Sequence, residues 1–380
     1  MLSVMLIGCG GIAPKHINGF LKTTEDAVIT HLIDPIAARA QALIDEYHLD
    51  KAIASDDYKA YLDDVDVVSI CTPPGTHCEI AVNALNHGCH VLLEKPMAPS
   101  LEECDKIIQA AERNGKLCSV VVQSRFISER RNVIEMVKSG KYGKNLYTRV
   151  NSVWHRGESY YHLGWRGRWT EEGGGCTQNH SIHHIDLLLY AKGMPSSIRS
   201  FMTNLAHHNS EEEDFSSSVL RYNDGSIAEI TSTLVAHGDQ ARQALSFDME
   251  DASICIPFAA YASKPMPNGF PQVNEEKLAE VIADYESRPT LALESHDGQV
   301  ENFLRAVNGK EDLVATAQDG RNCIELITGV YQSSITDREV VFPIAKDSPY
   351  YTSEWRKDAP HFFEKELSID AFADTTITSF

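Results

Sequence analysis

The stretch Gly8-Cys9-Gly10-Gly11-Ile12-Ala13 constrains this chain more than any other. It follows a short apolar run at residues 3–7 and precedes Pro14, a residue suited to the first turn of a helix. In a strand, glycine turn and helix unit, the first glycine makes the tight turn. The second lets a pyrophosphate approach the backbone, and a small residue at the position of Ala13 lets helix and strand pack closely. Gly8, Gly10, Gly11 and Ile12 are therefore candidate dinucleotide contacts. The spacing alone is weak evidence, and its surroundings strengthen it. A second apolar run at 28–33 ends in Asp34. A carboxylate there accepts hydrogen bonds from ribose hydroxyls and repels a 2′-phosphate, which favours NAD over NADP.

The alternation continues with a strand at 65–70 leading into Cys71-Thr72-Pro73-Pro74. Thr76-His77-Cys78-Glu79 reads as a capping box for a helix that ends near Gly88. Another strand at 90–93 leads into Glu94-Lys95-Pro96, and Ser100-Leu101-Glu102-Glu103 reads as a second capping box. A final strand covers 117–122. Strands and helices in strict alternation predict a parallel sheet with helices on both faces and ligand at the carboxyl ends of the strands. Thr72, Pro73, His77, Glu94 and Lys95 all fall at that edge and join the cofactor candidates. A lysine directly after a strand there can also hold a substrate hydroxyl, and partial burial would tune it for proton transfer.

A second glycine run, Gly173-Gly174-Gly175, leads into Cys176-Thr177-Gln178-Asn179-His180-Ser181-Ile182-His183-His184-Ile185-Asp186. The segment reads as one helix, with Asn179, His183 and Asp186 at i, i+4 and i+7 on one face. Glycines before a helix permit close approach and leave free N–H groups at its start. His180 and His184 have the i, i+4 spacing of a zinc helix, but no Glu follows His180 and no third ligand stands out, so no metal is expected. Cys176 reads as a small packing residue.

The formal charge of −20, without a long basic run, argues against nucleic acid or an anionic membrane as partner. Nine scattered cysteines without a CxxC pair suit reduced thiols in a cytoplasmic protein. The apolar start ends in a glycine turn and reads as a strand, not a signal peptide.

Gly8-x-Gly10-Gly11-Ile12-Ala13, Glu94-Lys95-Pro96, Arg125-Phe126 and Gly173-Gly174-Gly175 with His183-x-x-Asp186 together resemble the glucose–fructose oxidoreductase / inositol dehydrogenase (Gfo/Idh/MocA) family. Glu213-Asp214 and the stretch Leu220-Arg221-Tyr222-Asn223-Asp224-Gly225 look like that family's second-domain sheet. The resemblance implies an α/β protein. A Rossmann NAD-binding domain, placed at 1–123, would precede an α/β domain at 124–380 with a large, mostly antiparallel open sheet. That sheet would bind substrate and make homo-oligomer contacts, as a dimer or tetramer. It also implies hydride transfer between a nicotinamide and a carbinol carbon of a sugar or cyclitol, with Lys95 and His183 as acid/base pair. The family often carries Asp where this chain has Asn179. An amide cannot act as a base, so Asn179 is assigned a positioning hydrogen bond to substrate or to His183.

Within the second domain, a helix is read at 130–139 and strands at 146–154, 198–205, 215–222 and 226–234. Asn223-Asp224-Gly225 makes the last two a hairpin. Helices are read at 300–307 and 317–334, a last strand at 340–343, and a polar-aromatic tail beyond. Residues 155–169 mix aromatic and basic side chains, which suits a polyol: rings take apolar sugar faces and guanidinium groups take hydroxyls. Tyr161, Trp165 and Arg168 are the candidate substrate contacts there, and Asn179, His180 and His183 those after the glycine run. The expected protein is an NAD-dependent dehydrogenase of a sugar, glycoside or cyclitol. Two other readings share its residues: an enzyme that oxidises a sugar transiently with NAD retained, and a non-catalytic NAD-binding sensor.

Overall fold

The computed structural model describes residues 1–23, 25–237, 244–370 and 372. In chain order its regular elements begin with β1 (Leu2–Ile7), α1 (Ala13–Leu21), β2 (Ala27–Ile33), α2 (Ala37–Glu46), β3 (Ile53–Ser55), β4 (Val67–Ile70), α3 (His77–Asn86), β5 (His90–Leu93), α4 (Leu101–Asn114) and β6 (Cys118–Val120). There follow α5 (Ser128–Lys138), β7 (Asn145–Val153), α6 (Cys176–Asn179), α7 (Ile182–Lys192), β8 (Ser197–Thr203), β9 (Phe215–Arg221) and β10 (Ile227–Thr233). The last are β11 (Leu245–Met249), β12 (Ser253–Ile256), β13 (Ala259–Tyr261), β14 (Ser263–Pro265), β15 (Pro271–Val273), α8 (Glu275–Glu286), α9 (Ser295–Val307), α10 (Ala317–Thr336) and β16 (Val340–Val341).

The chain folds as two compact units, Met1–Ile127 with Leu291–Ile324, and Ser128–Thr290 with Glu325–Phe380. In the first, six strands form one sheet in the order β3-β2-β1-β4-β5-β6, every paired neighbour parallel. This is the doubly wound order, with its switch point between β1 and β4. Strands covered on both faces read as unbroken apolar runs, and β4 is buried at all four positions. Ala13, Ile17 and Phe20 line the buried side of α1 at helical spacing.

The two capping boxes diverge. Ser100 Oγ accepts the Glu103 N–H and donates to the Glu103 carboxylate at 2.9 Å, as expected. Thr76 does not cap α3. A 3-10 turn at Pro74–Thr76 runs straight into the helix and leaves Thr76 in a helical conformation. Its hydroxyl turns back to Thr72 Oγ1 and Pro73 O, while Glu79 pairs with Lys59.

The first unit is also larger than a cut at residue 123 implies. Val300, Phe303 and Leu304 of α9 share one core cluster with Val4, Leu6 and Ile17. The Gln299 amide accepts from Val122 N–H and donates to Val120 O beside β6. A linear pattern shows that a helix has an apolar face, not which core that face will join.

The second unit holds an eight-stranded sheet in the order β13-β12-β11-β7-β10-β9-β8-β16. Only the β7–β10 pairing is parallel among its named strands. The expected hairpin forms between β9 and β10, with Gly225 at φ +85° and the Asp224 carboxylate accepting the Ser226 N–H. Strands β11 to β15 were not read from the sequence. β11 is buried at four of its five positions, so it carries no alternation to detect.

Candidate functional site

In the first unit the loops after β1, β2, β4 and β5 meet at the carboxyl edge of the sheet. Gly8 has φ +95°, and a Cβ there would stand 2.8 Å from the Cys71 carbonyl group. The neighbouring loop alone therefore requires a glycine here. Gly10 and Gly11 differ: a Cβ at either meets nothing within 4 Å. Open backbone at the head of α1 fits a pyrophosphate. Ile12 directly precedes α1 and packs against the core. The Asp34 carboxylate ends β2, accepting N–H groups of Cys9 at 3.0 Å and Ile36 at 2.9 Å. Each oxygen keeps a lone pair for ribose hydroxyls. The Arg39 guanidinium lies 4.0 Å away.

Two cofactor candidates prove to be internal supports. His77 is fully buried, its ring nitrogens 2.8 Å from Thr72 O and 3.0 Å from Pro96 O. Burial lowers its pKa, so the neutral ring donates its single N–H to one of these carbonyls, and it packs between the Thr72 and Pro96 loops instead of facing a ligand. Glu94 is also turned inward, with 6% exposure. One oxygen is 3.0 Å from His16 Nε2 and the other accepts the Lys95 N–H at 3.0 Å. His16 Nδ1 in turn meets Ser69 Oγ at 2.8 Å. Burial disfavours a charged His16, but Cys71 and Glu94 outweigh it and hold its pKa up at about 10. His16 was missed by the sequence reading. Its position, three residues past Ala13 on the buried side of α1, was the available signal. Between buried Glu94 and buried Pro96, Lys95 stays partly accessible. Thr72 is likewise partly exposed and Pro73 exposed at this edge.

In the second unit the expected single helix is two. α6 ends at Asn179, and α7 begins at Ile182 after a break at His180 and Ser181. Asn179, His183 and Asp186 therefore do not share one helical face, and His180 and His184 are not a pair on one helix. Asp186 is fully buried, whereas His183 sits in the first turn of α7, partly exposed. The Asn179 amide donates to Gly174 O at 2.6 Å. His184 is bonded to Ser152 Oγ at 2.9 Å, and burial first, then the nearby Arg130, lowers its pKa to about 4.

The N–H groups at the head of α6 are not free. Gly175 and Thr177 both donate to the Glu213 carboxylate at 3.0 Å, and Cys176 donates to Glu213 O at 3.2 Å. A Cβ on Gly175 would lie 1.9 Å from that carbonyl oxygen. The close approach that the glycine run permits is thus made by the protein's own β9 entry, not by a ligand. Burial raises the Glu213 pKa to about 6 against these bonds. Burial and adjacent Glu213 hold the Cys176 thiol well above its ordinary range, which leaves it a packing residue.

The aromatic-basic loop divides similarly. Tyr161 is buried with Cys176 and Leu234, at 1% exposure, so its ring serves the interior and not a substrate. His180 is buried edge-on to Trp154 and close to Tyr160. Trp165 remains 46% exposed, with the Arg166 guanidinium 4.3 Å above its ring. Arg168 donates to Gly164 O and pairs with Glu211 at 3.5 Å, part of its side chain exposed.

Sequence comparison falls on the same two parts. Residues 2–122 match the model of an oxidoreductase family with an NAD-binding Rossmann fold, and residues 131–255 match the GFO/IDH/MocA C-terminal domain. Fold and motif together define an NAD-binding oxidoreductase. The chain belongs to the Gfo/Idh/MocA family.

Among its relatives, a D-glucoside 3-dehydrogenase of Escherichia coli K12 is 27% identical over 360 residues, covering 89% of this chain and 97% of that protein. An inositol 2-dehydrogenase of Salmonella typhimurium is 31% identical over 151 residues, covering 38% of this chain and 44% of the relative. Two solved structures share the fold. The WlbA dehydrogenase of Bordetella pertussis, in complex with NADH and UDP-GlcNAcA, has a TM-score of 0.75 at 23% identity, over 90% of this chain and 98% of that one. A levoglucosan dehydrogenase with NADH and levoglucosan has a TM-score of 0.76 at 18% identity, over 90% and 100%.

Proposed function

We propose that this protein interconverts a secondary hydroxyl and a ketone on a sugar, glycoside or cyclitol, with NAD preferred to NADP and Lys95 and His183 as acid/base pair. The reading rests chiefly on the match to the D-glucoside 3-dehydrogenase along nearly the whole of both chains. Within each motif, moreover, the proposed acid/base residue is partly accessible, while Glu94, Pro96 and Ile182 beside them are buried.

His183 takes the hydroxyl proton on a ring nitrogen. A neutral imidazole keeps one ring nitrogen as an acceptor for that proton. Lys95 Nζ donates a hydrogen bond to the oxygen as negative charge develops there, which favours the transition state over the ground state. The chemistry that NAD would supply here is acceptance of the hydride, the overall balance being alcohol and NAD to ketone, NADH and one proton. Gly10 and Gly11 would hold the pyrophosphate and Asp34 the ribose. Asn179, its amide N–H engaged by Gly174 O, keeps its carbonyl oxygen for a substrate hydroxyl or for His183.

Two further assignments belong to this reading. The nine cysteines are all free, which suits the cytoplasm. The face of the large sheet that carries Phe201 and Val219, at 65% and 44% exposure, suits contact with another copy of the chain. Among the described residues, no helix is long and apolar enough to cross a membrane.

The test is NADH formation with NAD and NADP over inositols, aldoses and glycosides, beside Lys95→Ala and His183→Ala. Turnover with NAD that each substitution lowers by about 10²- to 10⁴-fold supports the reading. NAD binding without net turnover on any carbinol rejects a freely exchanging dehydrogenase and favours a retained cofactor.

A further inference from the structure

The tail segment beyond β16 is bound along the aromatic-basic loop of its own unit. Ile369 N–H donates to His162 O at 2.8 Å and Gly164 N–H to Ile369 O at 3.1 Å, a one-residue parallel bridge. Lys365 Nζ donates to the carbonyls of Tyr161 and Leu163. The Asn209 side chain links the same two segments, donating to Tyr161 O and Leu367 O and accepting from Glu366 and Leu367 N–H. Trp169 Nε1 donates to Pro360 O at 3.2 Å, and its ring lies edge-on to Trp355.

Arg356 carries this contact into the glycine run. Its side chain is buried, at 5% exposure for the residue. Nε donates to Gly173 O at 2.8 Å, and the terminal nitrogen Nη2 reaches Gln178 Oε1 at 3.5 Å. Gln178 donates to Glu172 O, so the guanidinium ties both ends of the turn that enters α6. The next carbonyl, Gly174 O, is the one that holds the Asn179 amide.

We infer that Arg356 is a positioning residue for the dehydrogenase site, acting through Gly173 and Gly174 on Asn179 and on the start of α7 that bears His183. The inference rests on the proposed roles of those two residues. A planar guanidinium grips two oxygens at fixed separation, which an ammonium cannot reproduce. The remainder of the tail holds residues 161–169 in one conformation and so preforms the wall that carries Trp165 and Arg168. An ordered wall lowers the entropy lost when substrate binds.

The test uses the full chain with Arg356→Lys, Arg356→Gln and, separately, Lys365→Met. Initial rates are measured against sugar and NAD, together with amide hydrogen exchange over residues 157–183. Both Arg356 variants are expected to lose kcat on the order of 10²-fold, as a displacement of about 1 Å can cause. NAD affinity should not change, and exchange should quicken from Gly174 to His183. Lys365→Met is expected to raise KM for the sugar on the order of 10-fold with kcat nearly unchanged, about 1.4 kcal/mol of binding. Arg356→Lys with wild-type kcat and wild-type exchange overturns the inference, as does a lowered melting temperature with kcat intact. A wild-type protein without turnover on any sugar rejects the functional reading instead, and the exchange over 174–183 then still decides whether Arg356 orders that segment.

Discussion

His16 Nε2 and Glu94 Oε1 are 3.0 Å apart in an interior where His16 is 1% and Glu94 6% exposed. The pair ties the helix that follows Gly8, Gly10 and Gly11 to the backbone N–H of Lys95. His296 on α9 stands 4.0 Å from the same carboxylate oxygen, and burial lowers its own pKa to about 4, so His16 is the charged partner.

His16→Gln should destabilise the first unit by about 3 kcal/mol near pH 7, the usual size when one member of a buried pair is lost. The His16 pKa is raised, so its stabilisation is complete below its unfolded value of 6.5 and is lost as pH rises through about 10. The Glu94 pKa is lowered: burial opposes this, and the His16 bond and charge prevail. Its stabilisation is therefore present above the ordinary carboxylate value and lost in acid. Urea midpoints of wild type and variant, compared across pH, should differ most at about pH 5 to 6.5 and converge above about pH 10. A constant difference across that range refutes the ion pair.

Gly8 and Gly11 should separate folding from binding. Gly8→Ala places a methyl against the Cys71 backbone at a φ of +95° and should lower the melting temperature. A Cβ at Gly11 meets nothing within 4 Å, so Gly11→Ala adds its methyl to open space. It should leave the melting temperature nearly unchanged and weaken NAD on the order of 10-fold. Equal effects on both properties from the two variants would contradict this division.

Asp34→Ser removes the carboxylate proposed to hold the ribose while Arg39 remains beside it. The ratio of kcat/KM for NAD over NADP should fall by about 10-fold or more. The ratio is the readout, since Asp34 also accepts the Cys9 and Ile36 N–H groups and both absolute values will drop. An unchanged ratio removes Asp34 from cofactor selection.

Gly175→Ala drives a Cβ to within 1.9 Å of Glu213 O. Backbone must move at both ends of that contact, so we expect about 3 kcal/mol or more of destabilisation in chemical denaturation. Near-native stability would mean that β9 and the head of α6 can part freely.

The sequence by itself determined the doubly wound class of the first half, though β3 and α2 were not read from it. β1, β2, β4 and β5 are short apolar runs ending at a glycine, carboxylate or proline loop, and local pattern suffices for them because the ligand edge is made of residues adjacent to those runs. It also located Lys95 and His183 within recognisable motifs and predicted the β9–β10 hairpin. What it could not determine was which polar residues point inward. His77, at the start of α3, and Glu94, directly after β5, lie at the ligand edge yet are buried, where carbonyls of Thr72 and Pro96 and the His16 imidazole meet them. The acidic run Glu211-Glu212-Glu213-Asp214 would pass for a solvated loop, yet all four residues are buried. Glu213 and Asp214 there anchor the head of α6 and the turn at Leu205 and Ala206. Tertiary structure decided these orientations, as it decided the break between α6 and α7 and the assignment of α9 to the first core. A buried charge or amide is tolerated only where partners far along the chain meet it, and no local pattern encodes where those partners will be.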